Sequence, residues 1–116
     1  MPVEIPGIDA QSVLDLYDGD MEVYKAILIS FITRIPPVLE IIRGVSSETL
    51  PDYLIKIHSL KGSGGSIGAK ETMAEAARLE AMAKNGDLAG VQAENGNFLE
   101  KVDVLIGDIK KWLEQP

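Results

Sequence analysis

The chain's only histidine, His58, stands just ahead of Lys61-Gly62-Ser63-Gly64-Gly65-Ser66-Ile67-Gly68, a run that removes nearly all side-chain bulk. Near neutral pH an imidazole offers a nitrogen lone pair for nucleophilic attack or proton transfer. Open space beside it suits an imidazole presented to a partner. At about 100° per residue, with Ile57 at the centre of a buried stripe, His58 falls on the stripe's flank, where its ring reaches solvent. Lys61 and Gly62 follow on the same flank, and Gly65 lies about two turns on. Each glycine inside a helix costs about 1 kcal/mol relative to alanine, so the run has a steric reason. Either it leaves room around the histidine, or it lets a second helix approach closely; residue counting does not separate the two.

Other chemistries fail on their own requirements. A dinucleotide fingerprint beginning at Gly62 needs glycine where Ile67 stands, and no strand precedes it. A phosphate-binding P-loop needs Gly-Lys-Ser or Gly-Lys-Thr, whereas the segment ends Gly68-Ala69-Lys70-Glu71. A single histidine gives no Glu-x-x-His pair for a di-iron bundle, and no glycine-serine-glycine elbow supports a serine triad. No acidic cluster is spaced to hold Mg²⁺.

The elements that must position His58 are helical. Residues 1–8, with two prolines and a glycine, read as an extended lead-in. Asp9 then caps a short helix over about Ala10 to Tyr17, and Asp18-Gly19-Asp20 forms a turn. Tyr24, Ile27, Leu28, Phe31 and Ile35 recur at helical spacing, resumed by Val38, Leu39, Ile41 and Ile42. Pro36-Pro37 is expected to kink or split this helix. A third helix is expected from about Leu50 to Gly64, with Leu50, Tyr53, Ile57 and Leu60 inward. A fourth reads through Met73, Ala76, Ala77, Leu79, Glu80 and Ala83, closed by Asn85-Gly86. Asp87 caps the last, whose stripe is Val91, Phe98, Val102, Leu105, Ile109 and Trp112. No segment alternates with period two, so the fold class is all-α: an antiparallel four-helix bundle with a short extra N-terminal helix, one domain over residues 1–116.

At 116 residues the chain buries roughly two-thirds of its unfolded surface without a staple. It has no cysteine, hence no disulfide framework and no thiolate chemistry, which suits a reducing compartment and makes the cytoplasm the expected location. Eighteen acidic against eleven basic residues give a net charge of −7, which disfavours nucleic acid and anionic lipid as partners. No stretch approaches the ~20 apolar residues of a membrane span. Another protein is the expected partner.

His58-Ser59-Leu60-Lys61-Gly62, followed by Ile67-Gly68-Ala69 and Leu79-Glu80, resembles the histidine-containing phosphotransfer domains of multistep two-component relays. The likeness covers nearly the whole chain, including Gly19-Asp20 and the Tyr24 to Phe31 region. Ile5-Pro6-Gly7-Ile8-Asp9 looks like the start of such domains at the end of hybrid sensor kinases. The resemblance implies that His58 is the phosphoacceptor, through Nε2, with Lys61 beside the phosphoryl oxygens. Gly62 is the position whose missing side chain admits the partner's active site. Glu80 matches the Gln or Glu that accepts a hydrogen bond from Nδ1–H, fixing the tautomer and making Nε2 the better nucleophile. Without the resemblance, Glu80 and Lys61 read as solvated surface charges.

The implied partners are response-regulator receiver domains, a sensor histidine kinase, or both. The implied state is a monomer without a cofactor of its own, the Mg²⁺ being supplied by the receiver. Docking is expected at Leu54, Ile55, Gly65 and Ile67, with Arg78 or Lys84 near the rim. Two other functions fit the same residues: a non-catalytic bundle that binds a receiver or kinase, and the C-terminal phosphotransfer module of a hybrid histidine kinase.

Overall fold

The computed structural model describes residues 3–115; Met1, Pro2 and Pro116, which the expected lead-in and single domain include, lie outside the described residues. Helices are α1 (Gln11–Leu14), continued by a 3₁₀ turn over Asp15–Tyr17, then α2 (Met21–Ile42), α3 (Leu50–Ile67), α4 (Lys70–Lys84) and α5 (Leu88–Leu113). There is no strand among the described residues. In the bundle α2 to α5, each helix packs on its neighbours in chain order, α2 closes against α5, and α3 lies diagonally across from α5.

Local chemistry sets most boundaries. Asp18 and Gly19 take left-handed backbone (φ 54° and 70°), and the Asp20 carboxylate then accepts the Glu22 and Val23 amides at the start of α2. Asn85 ends α4, Gly86 turns the chain with φ 72°, and Asp87 caps α5 by accepting the Gly90 amide at 2.9 Å. Asp9 accepts the Ser12 amide at 3.4 Å.

Pro36-Pro37 does not split α2. Each proline leaves one carbonyl a turn earlier without its donor. Tyr24, Leu28, Phe31, Ile35, Leu39 and Ile42 nevertheless form one continuous buried stripe across the pair. Packing on both sides of the prolines holds the helix together where local propensity would end it. Helix α3 also runs beyond the expected Gly64, to Ile67, whose side chain continues the Tyr53, Ile57 and Leu60 stripe into the core.

The lead-in is tied to the bundle. Ile5 is buried, Pro6-Gly7 make a turn, and the Asp9 amide donates to the Gly68 carbonyl at 2.8 Å. Lys70 pairs with Asp9 at 2.9 Å, while the Tyr17 and Tyr24 hydroxyls donate to the Ser66 and Ile67 carbonyls, both at 2.7 Å. These contacts satisfy the last carbonyls of α3 and fix where the glycine-rich helix stops. Across the core, the Tyr53 hydroxyl donates to Asn95 Oδ1 at 2.9 Å, and Asn95 Nδ2 donates to the Ile42 carbonyl at 2.8 Å. Asn95 fills the gap between Val91 and Phe98 in the expected α5 stripe, as a buried polar link between three helices.

Candidate functional site

Ile57 and Leu60 anchor α3 in the core and turn His58 outward, leaving its side chain 66% exposed. Twenty-two residues on, Leu79 and Ala83 bury the inner face of α4 and bring Glu80 with them; its side chain is only 6% exposed. His58 Nδ1 lies 2.5 Å from Glu80 Oε2, and Lys61 Nζ donates to Glu80 Oε1 at 2.6 Å. Each carboxylate oxygen therefore takes one donor.

The Lys61 ammonium, and after it the His58 hydrogen bond, hold the Glu80 carboxyl below the usual carboxylate range, against burial, which pushes it up. An ionised carboxylate only accepts, so Nδ1 carries the ring proton and the neutral ring's lone pair is on Nε2. The arrangement fixes one tautomer and leaves the other nitrogen available for attack on an incoming electrophile. The surface-charge readings of Glu80 and Lys61 give way to a shared, largely buried ion pair.

The glycines divide between the two roles the sequence left open. A Cβ at Gly62 would meet nothing within 4 Å, so the space one turn beyond His58 is clear. A Cβ at Gly64 would lie 3.4 Å from Thr72 Cγ2 and 3.5 Å from the Met73 amide nitrogen, and one at Gly65 would lie 3.0 Å from Met73 Sδ. A Cβ at Gly64 would thus make ordinary van der Waals contact with α4, and only Gly65 is tight, against the flexible Met73 side chain.

The expected docking residues separate likewise. Ile55 is 65% exposed and lies one turn before His58 on its flank; Leu54 is half-buried against the core. Gly65 is half-buried beneath Met73. Ile67 is fully buried and is corrected from docking contact to core residue, a consequence of the longer α3. Arg78 pairs with Glu94 of α5, on the far side of α4 from Glu80, and is removed from the rim. Lys84 is exposed one turn after Glu80. Met73, in the apolar run of α4, is 38% exposed, and its packing over Gly65 depends on the approach of α3 and α4, which no local pattern encodes.

A family model described as the Hpt domain matches residues 26–115. No curated protein and no solved structure matches the chain. The Hpt match runs from within the first long helix through the end of the last and includes the histidine with its buried carboxylate; the chain belongs to the Hpt domain family, which carries phosphoryl groups on histidine in two-component phosphorelays.

Proposed function

We propose that His58 is the phosphoacceptor and that it exchanges a phosphoryl group with an aspartate of a response-regulator receiver domain, or receives it from a sensor histidine kinase. The observation that carries this reading is the 2.5 Å contact of Nδ1 with buried Glu80 on a ring whose side chain is otherwise two-thirds exposed. Nε2 attacks the phosphorus of an aspartyl phosphate, a P–N bond forms, the P–O bond breaks and the receiver carboxylate leaves. The ring keeps its Nδ1 proton, so the phosphorylated imidazole carries a positive charge, and the Glu80 carboxylate stabilises it.

Lys61, one turn after His58 on the same flank and paired with Glu80, is assigned to offset phosphoryl charge, and the clear space at Gly62 admits the partner's loops. The Mg²⁺ that phosphoryl transfer needs belongs to the receiver, so this chain contributes the nucleophile and acts as a carrier without a nucleotide site. Ile55 and part of Leu54 form the apolar side of a transient docking surface on a monomer acting in the cytoplasm.

The test is phosphohistidine formation. The parent and His58→Gln are incubated with phosphoramidate and then with a phosphorylated receiver. An acid-labile, base-stable gain of one phosphoryl group in the parent alone is expected. Equal uptake by both proteins, or none by a folded parent, overturns the assignment.

A further inference from the structure

On the side of α4 away from the histidine, the turn at Pro6-Gly7, the start of α4 and the second half of α5 enclose a cleft of about 420 Å³, within the roughly 300–1,000 Å³ typical of ligand pockets. Helical geometry places it: Glu71 and Glu75 are about 180° and 140° round α4 from Glu80. The floor is apolar, with Leu105 buried and Val104 63% exposed despite lying on the most buried helix of the bundle. Carboxylates of Glu71, Glu75, Glu100 and Asp108 border it. One cation, Lys101, stands among them, at 2.7 Å from Glu75 and 3.7 Å from Glu71. Four carboxylates against one ammonium leave the lining at −3, within a chain of net charge −7.

An exposed apolar floor with an acidic border is complementary to a side-chain set that combines an apolar anchor with a cation. A second copy of this chain meets like charge here. We propose that the cleft docks a segment of another protein carrying an aliphatic or aromatic anchor next to lysine or arginine. Because the cleft and His58 occupy different sides of the bundle, such a tether leaves the histidine face free and raises the local concentration of whatever the tethered protein presents to it. The proposal does not depend on the role assigned to His58.

The probe is a labelled fourteen-residue helical peptide of leucine and lysine, titrated into the ¹⁵N-labelled chain and followed by amide shifts and fluorescence anisotropy. Saturable shifts at Glu71, Lys101, Val104 and Asp108, with the His58 amide unmoved, are expected. Val104→Asp should weaken binding by about tenfold, as for loss of a central anchor. Glu100→Lys with Asp108→Lys should weaken it similarly and flatten its salt dependence. Unchanged thermal melts show that these surface variants fold. Shifts centred on His58 or scattered over all acidic faces, or no saturation, overturn the proposal. So does a dimer in sedimentation that Val104→Asp dissolves, which would seat a second copy in the cleft.

Discussion

Replacing Glu80 with alanine removes the acceptor from two donors at once, His58 Nδ1 at 2.5 Å and Lys61 Nζ at 2.6 Å. A hydrogen bond to a charged group contributes about 1.5–3 kcal/mol. The His58 side chain is 66% exposed, so water resolvates the freed Nδ1–H and the low end applies. At 1.4 kcal/mol per factor of ten, phosphorylation should slow about tenfold without stopping. Two linked losses produce the effect: the ring samples both tautomers, and the positive charge on the phosphorylated ring loses its counter-charge. Glu80→Gln keeps an oxygen for Nδ1–H and loses only the charge, so its rate should fall between parent and alanine variant.

The assay is the time course of intact mass with phosphoramidate at several concentrations, beside long-range ¹H–¹⁵N spectra of the ring. The parent should show the Nδ1-protonated tautomer and Glu80→Ala a mixture. A folded Glu80→Ala protein that is phosphorylated at the parental rate would refute the reasoning and leave Glu80 a structural partner of Lys61 alone.

Gly62→Gln should raise stability, because it replaces a helical glycine at a position with clear space, by roughly 0.5–1 kcal/mol. It should nevertheless block transfer from a phosphorylated receiver through bulk; normal transfer would show that Gly62 is not part of the docking space. Asn95→Ala strands the buried Tyr53 hydroxyl and Ile42 carbonyl, at about 1–3 kcal/mol each, whereas Tyr53→Phe leaves the Ile42 bond intact and should cost about 1 kcal/mol. Urea unfolding compares them, and equal losses would contradict the three-helix link. Because Lys61 and His58 hold the folded Glu80 carboxyl below its ordinary 4.5, its stabilising effect is complete above that value and is lost as pH falls through the lower folded value. The melting-temperature difference between parent and Glu80→Gln should therefore shrink only below pH 4.5. A gap that closes above that pH would mean the ion pair does not depress the carboxyl.

The sequence by itself determined the class of fold, the helices and the flank on which His58 stands. Apolar spacing, the Asp20 and Asp87 caps and the Asn85-Gly86 stop all act over one or two turns, so their signals are complete in a short stretch of chain. The resemblance at His58, Lys61, Gly62 and Glu80 added a chemistry that periodicity alone does not contain. The tertiary structure decided what depends on distant partners. Ile67 became core because α3 is held to its full length by Tyr17, Tyr24 and the lead-in, which reach it from more than forty residues away. Packing on both sides let α2 pass through Pro36-Pro37 unbroken. Glu80 looks like a surface charge in its own helix; only the packing of α4 on α3 buries its carboxylate between His58 and Lys61. A carboxylate's environment is set by what surrounds it in space, and that is fixed only when the helices meet.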